Sequence, residues 1–176
     1  NCSMPKFTPV KLDVVTVIDI TPLIAPSPAG LAPSPVLTQF AGSEAADVSS
    51  GAGAALHSMR LVGRCALRLH ELPKPTIAKV NGVAVGAGLN LALGCDLIVA
   101  SDTARFSEIF TRRGLSLDFG GSWLLPRLVG LHKAKELVFL GDIISAAEAE
   151  RFGIVNRVVP AAELDAEVTA LARRIA

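Results

Sequence analysis

The longest apolar run in the chain lies between Lys79 and Asp96, and it cannot form one continuous element. Asn90 and four glycines (Gly82, Gly86, Gly88 and Gly94) interrupt it. A membrane-spanning helix needs about 20 apolar residues without such breaks. The run therefore predicts the buried interior of a layered α/β protein, and the mean hydropathy of +0.49 fits a large core. The 176 residues suffice for one domain with a core of its own. Lys and Arg total 17 against 16 Asp and Glu, a net charge of +1. That balance argues against a nucleic-acid or membrane-surface partner. No basic segment followed by an apolar one opens the chain, so no signal peptide is expected. Cys2, Cys65 and Cys95 cannot all pair internally, and no Cys/His cluster suggests a metal. The expected setting is reducing and cytoplasmic.

Elements on either side of the run follow from periodicity and punctuation. Val14–Ile20 is β-branched and apolar, and predicts a strand. Seven of the 11 prolines fall between Pro5 and Pro35, so Pro22–Pro35 predicts a linker or extended loop. Val36–Phe40 is a candidate second strand. From Ala52, the residues Leu56, Met59, Val62, Ala66, Leu69 and Leu72 recur at helical steps, and Pro73 and Pro75 end the pattern. Thr76–Val80 predicts a buried strand, Asn81–Gly88 a turn, Leu89–Gly94 a short helix and Asp96–Ala100 another strand. Helices are expected from Gly120–Gly121, over His132–Leu140, and from Ser145. Ser145 and Glu148 form a capping-box pair, and Gly153 stands just past that helix's end. Ile154–Val159 predicts a strand and Ala161–Ile175 a closing helix. Trp123 and Leu124–Leu125 are expected in the core.

Three features could carry chemistry. In the turn Gly82-Val83-Ala84-Val85-Gly86-Ala87-Gly88, small residues let backbone N–H groups approach a ligand. Such a turn serves either an anion or oxyanion, or simply tight helix–strand packing. Dinucleotide spacing fails, because Leu91 stands where a third glycine is needed, and no P-loop lysine follows. Asp118, in Leu117-Asp118-Phe119-Gly120-Gly121, is an acid among apolar residues. It reads either as a proton carrier with a raised pKa or as an N-cap for the next helix. Arg60, Arg64 and Arg68 form an i, i+4, i+8 stripe, either a phosphate contact or a solvated helix face. His57, His70 and His132 lack metal-ligand spacing and read as surface or cap residues. No nucleophile elbow and no Cys–His pair is present.

Three stretches together resemble the crotonase superfamily, the enoyl-CoA hydratase/isomerase family. They are KPTIAKVNGVAVGAGLNLALGCDLIVAS (Lys74–Ser101), FSEIFTRRGLSLDFGGSWLLPRLVG (Phe106–Gly130) and GDIISAAEAERFGIVNRVVPAAEL (Gly141–Leu164), in the family's order and spacing. The resemblance implies an α/β fold, a crotonase-like spiral of ββα units, here incomplete. Residues 1–51 would be a diverged N-terminal segment, and residues 52–176 the core without its usual C-terminal helical region. It also implies an acyl-CoA thioester as substrate, no separate cofactor, no metal, and a homo-oligomer, either trimer or hexamer.

Family resemblance also places the site. Two backbone N–H groups would hold the thioester oxygen, one at Ala87 and one at Ala46 in Ala45-Ala46-Asp47-Val48, where the family usually has glycine at Ala45. Such preorganised donors can each lower the barrier by about 3 kcal/mol. Ala45, Asp47, Val48, Gly86, Gly88 and Phe110 would line the substrate site. The family's hydratases use two glutamates, and here Asn90 and Phe110 stand in their places. Glu108 is two residues off register and is given no role. An aspartate at the position of Asp118 resembles the isomerase-type branch, and implies Asp118 as the catalytic proton carrier. The resemblance thus favours isomerisation over hydration. A catalytically inactive scaffold that binds acyl-CoA is the rival expectation.

Overall fold

The computed structural model describes residues 15–20 and 52–176. Two small sheets and a set of short helices make the expected α/β architecture. The first sheet is parallel, in the order β1 (Thr16–Asp19), β2 (Thr76–Val80), β4 (Leu97–Ser101) and β7 (Arg157–Val159). In the second sheet β3 (Val83–Val85) pairs parallel with β5 (Arg105–Ser107), and β5 antiparallel with β6 (Ile144–Ser145). Chain order shows the repeating unit. β2 and β3 step from the first sheet to the second and end in helix α2 (Ala87–Leu93). β4 and β5 take the same step, then a 3₁₀ turn (Ile109–Arg113) leads to α3 (Gly121–Val129) and α4 (Leu131–Leu140). This is the strand–strand–helix spiral that the resemblance implies.

The parallel sheet is covered on both faces, which is why its strands read as nearly continuous apolar runs. One face carries Ile18, Ala78, Val80, Ile98 and Ala100. It packs with Cys65 and Leu69 of α1 (Ala52–His70), Phe106 of β5 and the apolar side of α2. The other face carries Val17, Ile77 and Val99 against Leu164, Val168, Leu171 and Ala172 of the closing helix, Leu164–Ile175. Lys79 joins this second layer through ion pairs to Asp19 at 2.9 Å and Asp165 at 2.7 Å.

Several expectations shift in detail. The closing helix is preceded by a 3₁₀ turn at Ala161–Glu163, and the strand expected over Ile154–Val159 shortens to β7. Strands β3, β5 and β6 went unanticipated, because runs of two or three residues are too short to show a period. Among the described side chains of α1 the buried ones are Leu61, Cys65 and Leu69. Leu56 and Met59, expected on the buried face, are exposed, while Val62, Ala66 and Leu72 pack at its edge. The arginine stripe on this helix faces solvent. Trp123 is half exposed rather than in the core, and Leu125 takes the interior place. The indole is covered instead by the Arg127 guanidinium at 3.8 Å and the edge of His70 at 5.9 Å. The capping box forms as expected on α5 (Ala146–Arg151). Val36–Phe40 and Pro22–Pro35 lie outside the described residues.

A polar clasp fixes where β2 and β4 begin. The Thr76 backbone N–H and hydroxyl donate to Asp96 Oδ2 at 2.7 and 2.8 Å, and the Asp96 N–H donates back to Thr76 Oγ1 at 2.9 Å. Thr76 is buried, so losing its hydroxyl leaves polar groups without partners. Thr76→Val should cost about 1–3 kcal/mol, read as a lower urea midpoint at unchanged slope.

Candidate active site

The site begins where β3 and β5 end. Val85 and Ser107 are the last register pair of these parallel strands, and the Gly86 N–H donates to the Ser107 carbonyl at 2.9 Å. Gly86 and Glu108 are therefore the next residues at the same edge. Parallel strands deliver their following turns to one side, which is where open α/β sheets place ligands. Gly86 has φ 54°, a left-handed conformation that opens α2 without a side-chain cap. Ala87 is the first residue of α2, so no carbonyl of the helix accepts its N–H. The Phe110 ring packs on this turn, with Cζ at 3.5 Å from where a Gly86 Cβ would stand. The structure thus brings Gly86, Ala87, Gly88 and Phe110 together. Ala45, Ala46, Asp47 and Val48 lie outside the described residues.

Asp118 sits opposite, in a tight turn. The Gly121 N–H donates to the Asp118 carbonyl at 2.9 Å, and the two residues between have positive φ, Phe119 at 50° and Gly120 at 83°. These signs match a type I′ turn. For Phe119 the conformation is strained, and such strain costs about 1–3 kcal/mol when it persists. Burial of the Phe119 ring helps hold it in place. The N-cap of α3 is Gly120, and no side chain caps the helix. The capping alternative for Asp118 is thereby overturned: its backbone carbonyl takes the N–H, while carboxylate Oδ1 is buried without a partner. Burial raises the Asp118 pKa above its ordinary value, partly opposed by its own backbone amide.

Asn90 connects the two halves. It is fully buried on α2, and its Nδ2 donates to the Asp118 carbonyl at 3.1 Å. The side chain fits because residue 121 is glycine: a Cβ there would lie 2.3 Å from both Nδ2 and Oδ1 of Asn90. Oδ1 of Asn90 has no hydrogen-bond partner.

Glu108 is the residue that sequence reasoning missed. It is 1% exposed, and neither carboxyl oxygen has a hydrogen-bond partner. Burial, and after it the charge of Asp118, push its pKa up to about 7. The Asn90 side chain pulls that value partly back, although the pair falls short of hydrogen-bond geometry. The family register pointed to Phe110, and nothing in Arg-Phe-Ser-Glu marked Glu108 as interior. The signal lies in the pairing of β5 with β3, which only the fold displays.

The arrangement offers the Ala87 N–H at a glycine turn, with Asn90 of the same helix linked to the turn that carries Asp118, and a buried carboxyl at Glu108. That is suited to moving a proton at a carbon next to a carbonyl.

Comparison with known proteins places the chain among similar sequences. The sequence model described as enoyl-CoA hydratase/isomerase matches residues 51–176. The chain is 46% identical over 109 residues to 1,2-epoxyphenylacetyl-CoA isomerase from Escherichia coli, covering 62% of this chain and 42% of that one. It is 45% identical over 115 residues to crotonyl-CoA hydratase from Syntrophomonas wolfei, covering 65% and 44%. Among solved structures, enoyl-CoA hydratase from Bacillus anthracis superposes with a TM-score of 0.74 at 31% identity, covering 92% of this chain and 58% of that one. The chain therefore spans less than half the length of these two curated relatives.

Two outcomes follow from the packing and burial. Gly121→Ala should displace Asn90 and cost about 1–3 kcal/mol in thermal unfolding. Adding Asn90→Ala should recover part of that loss, a coupling readable in a double-mutant cycle. Glu108, with its folded pKa raised from 4.5 to about 7, holds its proton longer in the folded state than in the unfolded one. Its contribution is fully present below about pH 4.5 and is lost as pH rises to about 7, on the order of 3 kcal/mol. Urea titrations from pH 4 to 8 should show this decline flatten in Glu108→Gln.

Proposed function

This chain belongs to the enoyl-CoA hydratase/isomerase family, and we propose that it binds an acyl-CoA thioester and shifts a proton along the acyl chain through an enolate, without adding water. The observation that carries this reading is the Asp118 carboxylate. It is half-buried, has an oxygen without a partner, and is held by a strained turn instead of capping the helix behind it. The relatives carry both kinds of name, an isomerase and a hydratase, so the choice between reactions rests on this chain's own residues.

Asp118 takes a proton from a carbon activated by the thioester. The C–H electron pair moves into the enolate, and negative charge gathers on the thioester oxygen. The Ala87 N–H donates to that oxygen, joined in this reading by the Ala46 N–H. The enolate then collapses, and its electrons take the proton back from Asp118 at another carbon. One C–H bond is lost, one is formed, and the double bond moves. No electrons are exchanged with a second reagent, so the route needs no cofactor beyond the thioester.

Hydration by two glutamates fits poorly. Asn90 is no base, and its amide is occupied with the Asp118 carbonyl. Phe110 gives a water nothing to bind, and its ring closes over the glycine turn. The reading includes a homo-oligomer, trimer or hexamer. The exposed Leu131, Phe139, Leu140 and Ile143 are apolar surface that other copies could cover. It also includes a cytoplasmic setting; among the described residues no helix is long and apolar enough to cross a membrane.

Asp118→Asn should lower exchange of the acyl-chain protons of a short acyl-CoA in D₂O by about 10²–10⁴-fold, the usual worth of a positioned acid–base group. NMR follows the exchange, and binding of the same thioester should stay largely intact. Unchanged exchange would remove Asp118 from the chemistry. Binding without exchange in the wild type would replace the enzyme with a scaffold.

A further inference from the structure

We propose that Glu108 is a second carboxyl of this site, a positioning residue that stays protonated beside Asp118 across Asn90 and so keeps the site to one negative charge. The inference deepens the isomerase reading and rests on it. Three geometric observations carry it. Glu108 follows β5 directly and stands in register beside Gly86, at the strand edge where the substrate turn begins. Its carboxyl is buried with both oxygens lacking partners, which a merely structural glutamate would not tolerate. Asn90, packed against Gly121 and bonded to the Asp118 backbone carbonyl, also borders Glu108, so one buried amide lies between a buried carboxyl and a half-buried one.

Two carboxyls close enough for the charge of one to act on the other cannot both ionise cheaply. Glu108 is the deeper of the two and keeps the proton; Asp118 is more exposed and carries the charge. The site then holds one negative charge throughout, first on Asp118 and then on the enolate. Ionising Glu108 adds a second charge beside the enolate and opposes its formation. Among the described residues, Asp118 is the charged group whose field reaches Glu108. From α2 the neutral Asn90 faces it. The 3₁₀ turn that Glu108 opens carries Arg112 and Arg113, both exposed, and Arg112 is paired with Asp142. The end of α4 meets this turn through the Val138 and Leu140 carbonyls, which accept from Thr111 and Arg112.

The test has two readouts on the full chain. The first is the pH profile of acyl-CoA proton exchange. In the wild type the rate should fall about 10-fold or more between pH 6.5 and 8.5, as Glu108 ionises near pH 7. In Glu108→Gln that basic limb should vanish, so the two rates become similar; the same limb in the variant would overturn the proposal. The second readout needs no turnover. With ¹³C at the glutamate carboxyl carbons, the Glu108 signal, assigned by its loss in Glu108→Gln, should titrate near pH 7 in the wild type and lower in Asp118→Asn. A Glu108 midpoint in the ordinary carboxylate range, or one unmoved by Asp118→Asn, would overturn the proposal. If the wild type shows no exchange at any pH, the isomerase reading fails. The carboxyl titration still decides the coupling of the pair. If Glu108→Gln does not fold, assignment by Glu108→Asp keeps that second readout available.

Discussion

The parallel pairing of strands is the constraint on which the rest depends. Parallel strands all end at the same edge, so whatever follows them collects there. The β2–β4 pair fixes the spacing of the two strand–strand–helix units, with the Thr76–Asp96 clasp setting where each begins. The β3–β5 pair then carries Gly86 and Glu108 to one place. Neither residue chooses its position through its own chemistry. Each is delivered by a strand whose side chains are selected for burial between layers.

That delivery has an energetic consequence. A glutamate that ends a buried strand has little access to water and meets the Asp118 carboxylate close by. Beside it, Phe119 holds a positive φ in the turn that carries Asp118. The buried carboxyl and the strained turn both reduce stability near neutrality, and both lie beside Asn90. Polar strain of this kind, concentrated where a proton must move, is what separates a site from a packing defect.

Much of this was legible in the residues. Thr76–Val80, the short helix after the glycine turn and the Ser145–Glu148 box all announce themselves through local composition, whereas the Asp118–Gly121 turn does not, because Phe119 adopts a positive φ that its residue type disfavours. Local cues fail where tertiary context decides. The burial of Leu61 rather than Met59 depends on where the sheet meets α1. Trp123 stays at the surface because Arg127 and His70 cover its ring, a stacking that helical periodicity does not encode. Glu108 was passed over because family register counts positions along the chain, whereas burial is set by strand pairing across it. The second oxyanion donor expected at Ala46 lies outside the described residues.

The departures from the two-glutamate pattern are connected rather than independent. With asparagine at position 90, the side chain can donate to the Asp118 carbonyl, which a carboxylate could not do. Gly121 must then remain without a Cβ, because the asparagine occupies that space. Phenylalanine at 110 packs its ring on the glycine turn, where a glutamate would offer a carboxylate. Burial raises the pKa of the two acids that remain, Glu108 and Asp118. A hydratase must hold a water molecule where it can attack. A proton shuttle works better without one, since the proton must return to the substrate rather than exchange into solvent. In the isomerase reading, the same residues that leave no pair of glutamates to hold water leave one carboxylate to carry a proton away from carbon and give it back.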